Sequence, residues 1–268
     1  MIQHLLQLIW NQRKQNAWLW AELLLVSVFL WFLVDYLYVM GRTYTAPLGF
    51  DIRHTYSIVI SSLSERSPDY IPKEKRERPD GVHLLTALDR IRTYPGVESA
   101  CLTDGGMPYY MGSRNLVWRI DTLQVPCRYA FVTPEFFDVF RIYDKDGKTA
   151  SLKRAIEDNN SIVISADVET MNPGLSLLGQ KAYRGNVTDE IEETIRGISV
   201  PIRRHEYTKA EPNVYRALRL SRMEEGYYEG MIDAVRLCVR VRPDVDNADF
   251  PARTAWPIPA QKNAETNK

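Results

Sequence analysis

Cysteine and histidine are scarce in this chain of 268 residues, and neither forms a pattern. The three cysteines are Cys101, Cys127 and Cys238. An odd count excludes complete internal pairing. No C-x-x-C spacing occurs, so neither a zinc ribbon nor a thiol redox motif is signalled. Cys127 and Cys238 lie in strand-like runs, where a buried free thiol is the expected outcome; one disulfide among the three stays open. The four histidines, His4, His54, His83 and His205, are scattered without metal-ligand spacing. There is no G-x-S-x-G elbow. Gly147-Lys148-Thr149 imitates the end of a phosphate-binding loop, but Ile142 stands where that loop needs its first glycine. No two carboxylates stand out as a general acid and base. Glu192-Glu193 and Glu224-Glu225 read as solvated faces. The expectation is therefore no catalytic residue, no cofactor and no metal, and a protein that is not an enzyme.

Charge of one sign is also missing. Lysine plus arginine equals aspartate plus glutamate, 34 each. Nucleic-acid binding needs a basic stripe, so that partner class is excluded. Asn159-Asn160-Ser161 and Asn186-Val187-Thr188 match the glycosylation pattern, which matters only in a eukaryotic secretory route.

What is present is one long apolar run, Ala17 to Met40. As a helix it reaches about 36 Å at roughly 1.5 Å per residue, enough for a hydrocarbon core of roughly 30 Å. Glu22 and Asp35 interrupt it, each five residues from an end, where a carboxylate can reach the headgroups or face a polar group on a partner helix. Trp18, Trp20, Tyr36 and Tyr38 flank the ends as an aromatic belt does. Thr43-Tyr44-Thr45-Ala46 before Pro47 is a poor cleavage context, so the run reads as an uncleaved anchor. Residues 1–16 read as a cytoplasmic leader, with Ile2, Leu5, Leu6 and Ile9 on one helical face, suited to lying on lipid. Lysine and arginine counts at the two ends tie, so orientation rests on this leader. The expected organisation is the leader over 1–16, a membrane helix over 17–40, one folded domain over 41–256 and a disordered tail over 257–268.

Within the domain, strands and helices interleave irregularly, which predicts an α+β fold rather than a regular parallel sheet. Strands are expected over 55–63, 97–103, 116–120, 125–132, 160–165, 194–202 and 214–220. A charged, proline-rich loop spans 67–79. A helix starting at Asp80 has Val82, Leu85, Leu88 and Ile91 on its apolar face and stops at Pro95-Gly96. Thr133-Pro134 caps a short helix, PEFFDVF. Further helical stretches fall in 148–158 and 166–171. In the last strand Val235, Leu237, Val239 and Val241 alternate with a polar outer face of Arg236, Cys238, Arg240 and Arg242.

The order of these pieces resembles the MacB/FtsX-type ABC transporter permeases, in particular the N-terminal half with the MacB-like periplasmic core domain. Leu88-Asp89-Arg90-Ile91 through Tyr94-Pro95-Gly96-Val97-Glu98-Ser99 is similar to that family's helix ending in a PGV turn. Tyr129 to Phe140, YAFVTPEFFDVF, is similar to its "y-v-tP-fF-vF" segment. Ile162-Val163-Ile164-Ser165 and Leu178-Gly179-Gln180-Lys181 follow its "vviN" strand and "G-k" turn. The chain departs from the family at Arg141–Gly147, RIYDKDG, where the family has a small glycine turn. It also ends before the further spans that carry the ATPase-coupling loop.

The resemblance implies a membrane protein that transmits ATPase-driven motion to the periplasm for export, in a split or truncated form or as a short form that keeps the extracytoplasmic module without the motor connection. It implies an ABC ATPase subunit and a permease partner supplying the missing spans, a homodimer, a periplasmic adaptor, an outer-membrane duct and membrane lipid as partners. It places the chain in the inner membrane of a Gram-negative bacterium, single-pass, with the N-terminus cytoplasmic and the domain periplasmic. Two alternatives stand beside it: a single-pass sensor or ligand-binding module, and a membrane-anchored envelope enzyme.

Overall fold

A computed structural model describes residues 10, 17–60, 63–68, 70–72, 75–110, 112, 114–185, 190–228 and 232–245. The expected leader (Trp10 apart), the expected tail, the sequon at 186–188 and part of the charged loop lie outside the described residues. The chain forms two units. One comprises Met1–Pro47 with Glu206–Lys209; the other comprises Leu48–His205 with Ala210–Lys268.

The first unit is built on helix α1, Ala17–Thr45, of 29 residues. None of its residues is buried, and its mean hydropathy reaches 2.2. Among the described residues its surface is exposed, and its length and composition are those of a candidate membrane span. Its length of about 43 Å at roughly 1.5 Å per residue exceeds a hydrocarbon core of roughly 30 Å. The helix runs through Gly41 unbroken and ends just before Pro47, the residue type that disfavours helix in its predecessor. Tyr44 and Tyr207 stack at 5.7 Å within this unit.

Among the described residues the second unit holds nine strands: β1 (Thr55–Ile58), β2 (Val97–Asp104), β3 (Arg114–Ile120), β4 (Leu123–Val132), β5 (Ser161–Ser165), β6 (Lys181–Arg184), β7 (Ile191–Ser199), β8 (Asn213–Ala217) and β9 (Val235–Val241). Their order is β1-β9-β2-β4-β3-β6-β7-β5-β8, and β8 pairs back onto β4. That last pairing closes β4-β3-β6-β7-β5-β8 into a ring, a small barrel without free edges. Two pairings in the ring are parallel, β4 with β8 and β5 with β7; the others are antiparallel. The remaining strands, β1, β9 and β2, extend from the end of β4 through Thr103–Val132 and Asp104–Phe131. The expected α+β class describes this architecture.

Three apolar clusters follow from strand alternation. The barrel interior is filled by Trp118, Ile120, Cys127, Ile162, Ile195 and Val214, among others. Helix α2, Asp80–Arg92, covers one face of β2 and β9 with Leu84, Leu88 and Ile91, assisted by Met223 of α6, Leu220–Glu224. The other face meets α3, Phe136–Val139, and α4, Ala150–Ala155. Phe136 and Phe137 there touch the ring of Tyr215, which stands on the outer wall of the barrel. This short aromatic helix thus joins the barrel to the extension. A further short helix, α5, spans Asp167–Met171.

Several expectations need correction. The buried face of α2 is Gly81, Leu84, Leu88 and Ile91; Val82 and Leu85 are only half-buried, because the helix sits rotated by part of a turn. Thr133 does not cap α3. Its N–H and Oγ1 bond across to Leu102 O and N at 3.0 and 3.1 Å, tying β4 to β2. The outer face of β9 is solvated only toward its ends: Cys238 and Arg240 are buried under α3, whereas Arg236 is half-buried and Arg242, just past the strand, is exposed. The Arg240 guanidinium donates to the backbone oxygens of Val139 (2.6 Å), Arg53 (2.8 Å) and Asp51. Carbonyl acceptors rather than water satisfy it. The strand expected over 194–202 is β7 and ends at Ser199, and the strand expected over 214–220 ends at Ala217, before Leu220 opens α6. All three cysteines are free and buried, and Cys101 faces Cys238 across β2 and β9.

Candidate functional site

The barrel has a polar mouth. Alternation along β3 sends Leu116, Trp118 and Ile120 toward the interior, so Arg114 shares their side at the strand's first residue. The same parity carries Arg184 after Ala182 on β6, Glu193 before Ile195 on β7 and Arg216 after Val214 on β8. Strand directions bring all four to one end. Arg114 pairs with Tyr129 near the end of β4, and Arg216 pairs with Phe131 one step further. An apolar barrel therefore finishes in a charged rim. Barrel mouths are a preferred location for ligand sites.

Glu193 is the buried centre of the rim, 2% exposed. Arg216 approaches its carboxylate at 2.5 Å, with Nε donating at 2.7 Å, and is itself 13% exposed. Arg184 Nε reaches Glu193 Oε2 at 3.4 Å, a buried ion pair without a formed hydrogen bond. Arg114 pairs with Asp104 at 2.5 Å. From α6 and the residue before it come Arg219 and Arg222, and Tyr227 and Tyr228 form one wall. Arg216 lies 4.9 Å over the Phe131 ring, and Arg222 5.2 Å over Tyr227. The cleft has a volume of about 370 Å³.

Electrostatics reflect burial. The Asp104 carboxyl is pushed up by burial, with Arg114 opposing. The Tyr228 hydroxyl rises to about 12, through burial first and the Asp104 charge second. The Arg216 guanidinium is drawn down by burial, and Arg184 and Arg219 act in the same direction against Glu193. Guanidinium groups remain charged in proteins. The charge and donor geometry of such a rim suit an anion.

Glu193 is where residue-level expectation fails: the pair Glu192-Glu193 is split, with Glu192 exposed beside Lys181 at 2.7 Å and Glu193 buried. Glu224 and Glu225 are exposed as expected. His54, His83 and His205 stand on separate segments. Among the described residues no group of three or more His, Cys, Asp or Glu is placed to hold a metal. The Gly147-Lys148-Thr149 turn is filled by its own carboxylate: Asp144 Oδ1 accepts from the N–H groups of Asp146 (2.9 Å) and Lys148 (2.8 Å). Burial raises the Asp144 carboxyl, and bonds from Ser151, Lys148 and Asp146 outweigh that and hold it below its usual value. In the departing RIYDKDG segment, Arg141 takes φ +53° and its guanidinium reaches Glu98 at 2.5 Å while Ile142 is buried.

No family model matches the chain, and no curated protein matches it. Solved structures show partial likenesses. A domain described as part of a permease protein from Porphyromonas gingivalis is similar at TM-score 0.44 and 20% identity, covering 63% of this chain and 65% of that one. The periplasmic region of MacB from Actinobacillus actinomycetemcomitans is similar at TM-score 0.44 and 10% identity, covering 80% and 86%. The extracellular domain of the noncanonic ABC-type transporter YknZ from Gram-positive bacteria is similar at TM-score 0.44 and 12% identity, covering 76% and 90%. The chain thus spans 65% of the length of the first of these.

Proposed function

We infer that this chain is the membrane-anchored extracytoplasmic module of a MacB/FtsX-like ABC permease. In this reading, motion generated by an ABC ATPase in the cytoplasm reaches the domain through α1 and is used for export. One observation carries the reading: α1 continues as helix for about five residues past the apolar run, so lipid-embedded and lipid-free segments form one stiff element. The YAFVTPEFFDVF segment, which bears the sequence resemblance, supports it: Phe136, Phe137, Val139 and Phe140 are all buried at the joint between barrel and extension. The partners are then an ATPase subunit, a permease chain with the remaining spans, a second copy, and a periplasmic adaptor and outer-membrane duct. The location is the inner membrane of a Gram-negative bacterium with the domain in the periplasm.

The test is capture of the full chain in mild detergent followed by identification of what is retained. Recovery of an ATPase subunit together with a multispan permease supports the reading. Recovery of neither, under conditions that keep a control ABC complex intact, refutes it. Orientation is tested separately with an impermeant thiol reagent on Thr122→Cys, in an exposed turn; the native thiols are buried and silent. Labelling in intact spheroplasts supports a periplasmic domain, and labelling only after lysis refutes it. A second reading, a single-pass ligand-binding module, is favoured by the arginine-lined mouth.

A further inference from the structure

Five guanidinium groups converge on the barrel mouth, from Arg114, Arg184, Arg216, Arg219 and Arg222. Two carboxylates face them, Asp104 and Glu193, and both are already engaged in ion pairs. Among the described residues the rim therefore carries an excess of three positive charges. On a solvated surface this imbalance is unremarked, because water and salt screen it. Here Arg216 and Arg184 are 13% and 21% exposed, and they sit over the packed barrel interior. Glu193 offsets one of these two charges and leaves the other buried without a counter-charge, which is unfavourable; the rest of the excess is on Arg219, half-buried, and Arg222, exposed, at the open side of the cleft. The site also has spare donors: Arg219 and Arg222 have no carboxylate partner among the described ion pairs. The floor is charged, the Tyr227–Tyr228 wall is aromatic, and the volume of about 370 Å³ suits a small organic anion.

We propose that the barrel mouth is a binding site for a phosphomonoester, a small organic phosphate or the phosphate headgroup of an anionic lipid, held by Arg219 and Arg222 at the rim with Arg114, Arg184 and Arg216 lining the cleft behind them. A tetrahedral dianion matches the fork geometry of several guanidinium groups at once, and its charge offsets most of the excess. The tyrosine wall accepts the attached carbon skeleton. The proposal goes beyond the permease reading and does not depend on it: an anion site of this kind would serve a cargo, a regulatory metabolite or a lipid contact alike.

The experiment uses the full chain in detergent and, separately, in nanodiscs. Inorganic phosphate and glycerol 3-phosphate are titrated by calorimetry against chloride at constant ionic strength. Saturable binding at one site per chain is expected. The double variant Arg219→Ala/Arg222→Ala, at positions on the rim rather than in the packed interior, should weaken it by roughly a hundredfold, since each of the two lost bonds to a charged group counts for about tenfold. Arg196→Ala, on the exposed side of β7, should leave it unchanged. Nanodiscs containing phosphatidic acid are compared with purely zwitterionic ones, with glycerol 3-phosphate as competitor. Displacement of the competitor by the anionic lipid identifies a headgroup ligand; no displacement identifies the soluble phosphate. Absence of saturable phosphate binding in both settings overturns the proposal. So does equal binding by the Arg219→Ala/Arg222→Ala protein when its far-UV circular dichroism and melting match the parent.

Discussion

Glu193→Gln is the most informative single change. Gln keeps the shape and one acceptor oxygen but removes the charge that faces Arg184 and Arg216. Glu193 is 2% exposed, so water does not replace the lost counter-charge. Truncating one partner of a buried pair costs about 3–5 kcal/mol, because the remaining charge is left uncompensated. For a domain of this size that corresponds to a fall in melting temperature of roughly 6–20 °C. It is a large part of a typical total stability of about 5–15 kcal/mol. Urea unfolding of the detergent-solubilised chain, followed by circular dichroism in the β-sheet region, should show a lower midpoint at an unchanged slope. A second change, Arg184→Met in the Glu193→Gln background, removes one stranded cation and should restore part of the loss, with a coupling above about 0.5 kcal/mol. A loss below about 1 kcal/mol would place Glu193 among exposed pairs and refute the description of the rim as desolvated.

Two further outcomes are expected. Phe137→Ala should cost about 3–5 kcal/mol by the same urea measurement, since the side chain is fully buried between the β2–β9 face and the barrel wall; a cost under about 1.5 kcal/mol would remove α3 as the joint. Stability should also fall in alkali under reducing conditions. Burial raises the Cys127 thiol to about 12, and it raises the Cys101 thiol strongly, with Cys238 adding to the effect. Above pH 9 the unfolded chain releases these protons while the folded chain keeps them. The stability is complete below that pH and is lost at about 1.4 kcal/mol per pH unit for each thiol as pH rises. Between pH 9 and 10.5, Cys127→Ala should be shallower than the parent by about that slope, and identical slopes would contradict the burial of Cys127.

The parts of the fold that were legible in the sequence are those with a long local pattern. Strand β9 shows seven alternating residues, α2 has a turn signal at its end, and the Phe-Phe segment is dense enough to declare a core. The barrel was not legible. Strand β6 has four residues, too few to display alternation, and the β4–β8 pairing that closes the ring joins segments some 85 residues apart. Non-local pairing leaves no local trace. The second face of β9 was misjudged for a related reason: arginine at alternating positions reads as solvent, yet Arg240 is satisfied by carbonyls that only the tertiary structure supplies. The mouth did leave a signal. Arg114 before Leu116 and Trp118, Arg184 after Ala182, Glu193 before Ile195 and Arg216 after Val214 each put a charge on the apolar side of a strand, at its end or within two residues of it. Several strands with that signature predict a charged opening on a closed apolar interior.

Arg240 has a mechanical consequence. It grips the oxygens of Asp51 and Arg53, on the stretch entering β1, and of Val139 in α3, from a position inside β9. Tension arriving along the chain from its N-terminal side meets this three-point rivet before it reaches the short edge strand. A load on that stretch would be shared between the β9 ladder and the aromatic joint instead of falling on the four-residue edge strand alone.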